Sequence, residues 1–220
     1  MAARKPVLYS YFRSSCSWRV RIALALKGIE YDYKAVHLLN DGGEQYAEDY
    51  KVVNPQCEVP SLEIDGHVLT QSMAIVEYLD ETRNTPPYLL PRNDPFKRAE
   101  VRRISQCISC GIQPIQNLRV LKYVGSDKKV EWGKYWIEYG FTSLEQSLSK
   151  TAGKYCIGDE VTMADLCLVP QVYNANRFGV NMANFPIVSR INAALSNLEA
   201  FKLAHPSQQP DCPDESRNVQ

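Results

Sequence analysis

The sequence lacks a long apolar run and an excess of charge of either sign. Its 220 residues contain 25 Lys and Arg and 25 Asp and Glu, so the formal net charge is zero. No stretch approaches the roughly 18 apolar residues that a membrane span needs, and residues 1–6 lead into a strand pattern without the apolar centre of a signal peptide. We therefore expect a cytoplasmic protein whose partners include neither nucleic acid nor a membrane.

Acidic residues are also missing from the start of the chain. None precedes Glu30, whereas Lys and Arg together occur six times in that stretch, and this local positive charge favours small acids as ligands.

Cysteine is sparse: seven residues, an odd number, indicate free thiols in a reducing compartment rather than a disulfide scaffold. Cys107 and Cys110 have redox-motif spacing, but they fall in a helical pattern where core packing explains them. We find no internal repeat and expect no metal site.

The first part of the chain predicts a small α/β domain of order βαβ-α-ββα. Gly28 is a natural helix end, Asp65-Gly66 is a strong hairpin signal, and Ser72 opens a helix. The first crossover, between parallel strands, should be right-handed. The predicted strands lie at 7–11, 29–36, 61–64 and 67–69, and the predicted helices lie at 17–27, at 44–50 and from 72 onward.

The remainder of the chain predicts an all-helical domain. Pro114 and Pro170 lie inside predicted helices and should kink them, and Thr162 with Asp165 resembles a capping box. The predicted helices span 96–124, 131–149, 163–178 and 187–204. A proline-rich boundary then gives four segments: an α/β domain at 1–86, a linker at 87–95, a helical domain at 96–205 and a loose tail at 206–220.

Three hydroxyls and a thiol stand between the first strand and the first helix, in the run Ser14-Ser15-Cys16-Ser17. Free backbone N–H groups and the helix dipole attract anions at such a position, and short hydroxyl side chains donate hydrogen bonds to a thiolate. Two sources of sulfur stay open, Cys16 itself or a bound thiol. The plain alternative is an N-cap serine beside a small buried cysteine.

The domain order and this turn resemble the cytosolic glutathione transferases over about residues 5–205. The run from Ser14 to Leu24 is similar to the signature of the zeta class, whose members act as maleylacetoacetate isomerases in tyrosine breakdown. The resemblance implies a thioredoxin-like first domain, an all-helical second domain and a homodimer. Further matches lie at Asn54-Pro55 through Val59-Pro60, at Gln71-Ser72, at 113–118 and at 158–166.

The resemblance implies that glutathione is the cofactor. A cis Val59-Pro60 bond would turn the backbone of Val59 toward the cysteinyl unit, and Gln71 with Ser72 would hold the γ-glutamyl end. Arg119 stands where the family often has a serine. The residues implied in binding glutathione are Ser14, Ser15, Cys16, Ser17, Trp18, Arg19, Gln45, Val59, Gln71, Ser72, Gln113, Asn117, Leu118 and Arg119.

The implied chemistry is the addition of a thiolate to a cis double bond, rotation about the resulting single bond, and expulsion of the thiolate to leave the trans product. The candidate catalytic residues are Ser14, Ser15 and Cys16, with Ser14 as the first choice for the hydrogen-bond donor. The substrate is a small carboxylic acid, so fixed cations should receive its carboxylates: Arg13, Arg19 and Arg177. Displacement of halide from small α-halo acids follows from the same groups.

Two rival functions use the same sequence. If Cys16 formed a mixed disulfide with glutathione, the chain would be a thiol transferase resembling the omega-type members of the fold. A binding module without enzymatic activity is the other alternative, because a fold does not dictate a function. The joint occurrence of the serine turn, Val59-Pro60 and Gln71-Ser72 argues against that second rival.

Overall fold

The computed structural model describes residues 4–217. Their strands and helices, in chain order, are β1 (Val7–Ser10), α1 (Ser15–Leu26), β2 (Asp32–Ala35), α2 (Glu48–Val53), β3 (Ser61–Ile64), β4 (His67–Thr70), α3 (Ser72–Thr82), α4 (Pro95–Gly111), α5 (Leu118–Val124), α6 (Lys129–Thr151), α7 (Met163–Arg177), α8 (Pro186–Ser196), α9 (Glu199–Ala204) and α10 (Asp214–Arg217). The described residues form two compact units, one of residues 4–86 with 199–217 and one of residues 87–198. No helix within 4–217 is both long and apolar enough to cross a bilayer.

The first unit is built on a four-stranded sheet of order β2-β1-β3-β4. Strands β1 and β2 are parallel, whereas β3 runs antiparallel to both β1 and β4. The predicted βαβ-α-ββα order is therefore confirmed. The hairpin turn is Asp65-Gly66, where both residues have positive φ as this tight turn requires.

Helix α1 lies at the centre of the first unit and contacts both α3 and α9. Its residues from Ser17 to Leu24 are all buried, which explains why the sequence shows no polar face over this stretch. The helix ends at the C-cap Lys27, and Gly28 follows with φ of 63°. The N-terminus of α1 is consequently held by packing along the length of the helix.

The second unit is helical, and α7 forms its core together with α4 and α8. Thr162 and Asp165 form the predicted capping box at the start of α7, and Pro170 lies inside that helix. Asp165 also accepts a hydrogen bond from the backbone of Cys156 at 2.9 Å. Its burial raises the pKa of the carboxyl group, while the backbone donors act in the opposite direction.

Two predicted helices are wrong in their length. The helix expected over 96–124 ends at Gly111, and a 3-10 turn at Gln113–Gln116 separates it from α5. Pro114 is the reason, because it lacks an N–H and its ring clashes with the preceding turn, so the helix breaks rather than kinks. The helix expected over 187–204 is divided between α8 and α9, and α9 belongs to the first unit.

The prediction of a loose tail from residue 206 is also wrong for the part of the tail that the structure describes. Gln209 and Cys212 are each 4% exposed, and Asp211 accepts a hydrogen bond from the backbone of Phe12 at 2.9 Å. Polar side chains here bond to the first unit instead of to water, so composition alone gave no sign of packing. Residues 218–220 of the predicted tail and residues 1–3 of the predicted first domain lie outside the described residues.

Candidate active site

Ser14 caps the N-terminus of α1. Its Oγ accepts a hydrogen bond from the backbone N–H of Ser17 at 3.2 Å, and the first turn of the helix carries no acidic side chain. A hydroxyl that accepts one bond still has its own proton to donate. The structure therefore shows Ser14 as an N-cap residue. This role leaves its hydroxyl proton able to donate a second hydrogen bond to an anion.

A small cavity opens beside this helix end. It brings together three sequence motifs that are far apart in the chain: the turn at Cys16, the Val59-Pro60 pair and the Gln71-Ser72 pair. The Val59-Pro60 peptide bond is cis, as predicted. The residues lining the cavity are Cys16, Asn54, Glu58, Val59, Pro60, Gln71 and Ser72.

Arg19 supplies a buried positive charge next to the cavity. The residue is 2% exposed, and its Nη1 lies 3.2 Å from Ser72 Oγ and 3.8 Å from Cys16 Sγ. Its Nε and Nη2 atoms are buried and have no hydrogen-bond partner within residues 4–217. A buried guanidinium normally has its donors satisfied, so Arg19 places an incompletely bonded positive charge beside the cavity.

The two peptide segments that border the cavity are held in unusual backbone conformations. Gln71 has φ of 67°, and its side-chain amide donates to Gln56 Oε1 at 2.7 Å. Strand β3 begins at Ser61, which pairs with Tyr9 of β1. Val59 lies two residues before Ser61, so it is not part of the β1–β3 register. A peptide could pair with it there as an added strand does.

Two residues that line the cavity were missed at the level of sequence, Asn54 and Glu58. Asn54 is 2% exposed, and its side chain donates to the carbonyl oxygen of Glu58 at 2.8 Å and accepts from the N–H of Gln56 at 3.0 Å. Asn54 thus braces the loop that leads into the cis bond. Both residues lie in the stretch from Asn54-Pro55 to Val59-Pro60 that matches the family, but neither is among the site residues that the resemblance implies.

Several candidate residues near the turn lie outside the lining of the cavity. Ser15, Ser17 and Trp18 are buried on α1, and the Trp18 ring meets His205 edge-on at 5.2 Å between centroids. Gln45 is 4% exposed in a 3-10 turn. The guanidinium carbon Cζ of Arg13 lies 5.6 Å from the centroid of the Phe12 ring.

The remaining candidate residues belong to the second unit. Gln113 lies in the 3-10 turn at Gln113–Gln116, and Asn117 caps α5, where its side chain accepts from the backbone N–H of Arg119 at 3.2 Å. Leu118 is the first residue of that helix. Arg177 ends α7, and its Nη1 donates to Asn174 Oδ1 at 3.3 Å.

Comparisons with known proteins agree with this geometry. The family model for the glutathione S-transferase N-terminal domain matches residues 13–82. The chain is 58% identical over 217 residues to a maleylacetoacetate isomerase of Rattus norvegicus, covering 99% of this chain and 100% of the relative.

Two solved structures are similar over most of the chain. One is a maleylacetoacetate isomerase of Anaeromyxobacter dehalogenans 2CP-1 with glutathione in its active site, with a TM-score of 0.86, 43% identity, and coverage of 95% of this chain and 98% of that one. The other is the holo structure of a bacterial zeta-class maleyl pyruvate isomerase, with a TM-score of 0.89, 41% identity, and coverage of 94% and 100%.

A thioredoxin-like unit with a cis proline beside the N-terminus of its first helix, in one chain with a helical unit, defines a glutathione transferase by fold. Within that class the identity along the whole chain is decisive. The chain belongs to the zeta-class glutathione transferase family, which is the family of the maleylacetoacetate isomerases.

Proposed function

We propose that the chain is a glutathione-dependent enzyme that isomerises maleylacetoacetate to fumarylacetoacetate, a cis-to-trans step in phenylalanine and tyrosine breakdown. The observation that carries the proposal is the cavity at the start of α1, with the unpaired donors of buried Arg19 beside it. The 58% identity to the rat maleylacetoacetate isomerase supports the choice of reaction.

The residues around the cavity fit glutathione. We assign the γ-glutamyl carboxylate to Gln71, Ser72 and the first backbone N–H groups of α3, and the cysteinyl backbone to the main chain of Val59, which lines the cavity. The two nitrogens of Arg19 without a hydrogen-bond partner support this fit, because a buried cation beside the cavity favours an anionic ligand. The further binding residues proposed are Ser14, Ser15, Cys16, Ser17, Trp18, Gln45, Gln113, Asn117, Leu118 and Arg119.

When bound, glutathione supplies a thiol whose ionised form adds reversibly to the cis double bond, so that the bond can rotate before the thiol is released unchanged. A free thiol with a pKa of about 8.5 is only a few per cent ionised near neutrality, so the chain has to lower that pKa. The N-terminus of α1 and the cation of Arg19 do this electrostatically. The hydroxyl of Ser14 donates a hydrogen bond, since an alkyl hydroxyl is too weak an acid to serve as the base.

Cys16 marks the second candidate function. It lines the cavity, whereas Ser14 and Ser15 are not among the lining residues, and Arg19 Nη1 lies 3.8 Å from its sulfur. An omega-like thiol transferase would use this sulfur to form a mixed disulfide with glutathione. In the isomerase the same thiol assists the reaction or helps to orient glutathione.

The substrate is a small carboxylic acid, and we assign its carboxylates to Arg177, Arg13 and Arg19. The hydrogen bond from Arg177 to Asn174 holds the guanidinium at the end of α7. Halide displacement from small α-halo acids is a proposed side activity of the same thiolate and cations. We also propose that the enzyme is a cytoplasmic homodimer.

The proposal is tested by supplying maleylacetoacetate with glutathione at a small fraction of the substrate concentration. We expect complete conversion to fumarylacetoacetate with all the glutathione recovered, and no enzymatic conversion when glutathione is omitted. Consumption of one glutathione per product would identify a transferase instead. Glutathione binding without any turnover would identify a binding module.

A further inference from the structure

Both backbone polar groups of Phe12 are bound by side chains from elsewhere in the first unit. Its N–H donates to Asp211 Oδ2 at 2.9 Å, and its carbonyl oxygen accepts from Arg21 Nη2 at 2.9 Å. Phe12 lies two residues before Ser14, in the turn that carries the chain from β1 into α1. The path of this turn is therefore fixed on two sides by charged groups.

Arg21 binds this turn through its guanidinium group. It is 1% exposed, and each nitrogen of its guanidinium donates a hydrogen bond: Nε to Ala204 O at 3.1 Å, Nη1 to Ser10 Oγ at 3.2 Å and to Tyr11 O at 3.3 Å, and Nη2 to Phe12 O. Burial lowers the pKa of Arg21 to about 10, so the group remains a cation at neutral pH. Arg21 thus joins α1 to the turn that precedes it and to the end of α9.

Asp211 holds the turn from the other side, and it comes from the segment of residues 205–217, which we call the C-terminal segment. Its second oxygen, Oδ1, accepts from the hydroxyl of Tyr33 on β2 at 2.6 Å. The next residue, Cys212, is 4% exposed and packs in an apolar cluster with Tyr11, Phe12 and Val59. The C-terminal segment is therefore bonded to the residues that lead into the serine turn, and it shares an apolar cluster with the residue that precedes cis Pro60.

We propose that Asp211 is a positioning residue of the thiol site: through the N–H of Phe12 it fixes the turn that places Ser14 and the first N–H groups of α1. The inference deepens the proposed function and rests on it. Electrostatic stabilisation of a thiolate depends on donors held at hydrogen-bond distance, so a turn displaced by about 1 Å loses much of the effect. Asp211 itself touches no reacting atom and acts only through this geometry.

The sign of the effect separates positioning from simple charge. Removing a negative charge from the neighbourhood of a thiolate makes the thiol easier to ionise. Loss of positioning makes it harder to ionise. Asp211→Ala removes both the charge and the bond to Phe12, whereas Asp211→Asn removes the charge but can keep the bond, because its amide oxygen can face Phe12 while its NH₂ group donates to the oxygen of Tyr33.

The experiment titrates the thiol of bound glutathione by the ultraviolet absorbance of the thiolate, as a difference between the complex and the free full-length protein. We expect Asp211→Ala to raise the midpoint by about one pH unit, which is about a tenfold loss of thiolate and of kcat at a pH well below both midpoints. The KM for glutathione should change far less, since Gln71 and Ser72 are untouched. Asp211→Asn should restore most of both values. Asp214→Asn is the matched control, a fully exposed carboxylate in the same segment, and should match the wild type.

Three results would overturn the inference: an unchanged midpoint in Asp211→Ala, a lowered midpoint, or an equal rise in Asp211→Asn. If Asp211→Ala does not fold, Tyr33→Phe decides, because it keeps Asp211 and removes the hydroxyl that orients its carboxylate, together with the hydrogen bond of that hydroxyl to Ser10. We expect a smaller rise in Tyr33→Phe, and an unchanged midpoint would reject the inference. Absence of thiolate absorbance in the wild type would instead reject the proposed function.

Discussion

Ser14 caps α1 and is also the thiolate donor in the proposed mechanism. A sequence motif cannot separate the two roles, because a helix cap and a thiolate donor require the same hydroxyl in the same place. We expect Ser14→Ala to destabilise the fold by about 1 kcal/mol through the lost cap. We expect it also to lower kcat/KM by a factor of about 10² to 10³, as for removal of one oxyanion donor. Isomerase kinetics and chemical denaturation measure the two effects separately.

The matched control for Ser14 is Asp94, which caps α4 by accepting from the backbone N–H of Lys97 at 2.8 Å. Asp94→Ala should cost a similar stability while leaving isomerase activity intact. Cys16→Ala should retain measurable isomerase activity. If Cys16→Ala is inactive and Ser14→Ala is almost fully active, the omega-like alternative replaces the isomerase assignment.

Arg19 tests whether the geometry of the buried cation matters as much as its charge. Lysine keeps the charge, but it has a single nitrogen. In Arg19 one nitrogen, Nη1, contacts both Ser72 and Cys16, and Nε and Nη2 are further donors that lysine lacks. We expect Arg19→Lys to lower kcat/KM by about tenfold, the equivalent of about 1.4 kcal/mol. Arg103→Lys, on the exposed surface of α4, is the control. Equal activity of the two variants would show that only the charge at position 19 is needed.

At the scale of elements, the hairpin between β3 and β4 is tied to α3 by a single carboxylate. Asp65 accepts from Arg83 Nη2 at 2.8 Å and from the hydroxyl of Tyr78 at 2.8 Å. Arg83 is the main reason that the pKa of Asp65 falls from 3.8 to about 2. The pair is partly exposed, at 27% and 39% for the two side chains, so solvent screening limits its contribution to about 0.5–1 kcal/mol.

The sign of the pH dependence follows from the lowered pKa. The folded state binds this proton more weakly than the unfolded state, so the pair stabilises the fold above about pH 4 and its contribution is lost as the pH falls toward 2. We expect Asp65→Asn to remove this contribution, since asparagine tolerates the positive φ of 53° at this position. Denaturation curves between pH 2 and 7 provide the measurement. A slope in the variant as steep as that in the wild type would contradict the assignment.

The elements that sequence predicts well are those set by local chemistry. Two examples are the Asp65-Gly66 turn and the capping box of Thr162 and Asp165. The cis Val59-Pro60 bond was predicted from the family resemblance instead. The break at Pro114 was underestimated, because the apolar periodicity continues on both sides of it.

The residues that sequence did not reveal act through distant parts of the chain. Asn54 braces a loop, and Asp211 binds a backbone group 199 positions earlier. Neither role leaves a local pattern. The residues of the cavity that sequence did single out, Cys16, Val59 and Gln71-Ser72, all belong to short motifs that match the family signature.

At the scale of the whole molecule, the assembly state is the proposal that follows from the family rather than from a contact. The helical unit exposes several large aromatic side chains, with Phe96 at 77% and Tyr123 at 94%. We expect sedimentation equilibrium at micromolar concentration to give twice the chain mass of 25.0 kDa. A mass equal to one chain, independent of concentration, would reject the homodimer.

The proposed activation of glutathione depends on where its sulfur lies in this molecule. The measurement that tests it most directly is a crystal structure of the full chain with glutathione bound. We expect the sulfur within about 3.5 Å of Ser14 Oγ at the N-terminus of α1, with the γ-glutamyl carboxylate at Gln71 and Ser72. A sulfur bonded to Cys16, or lying away from the serine turn, would contradict the account.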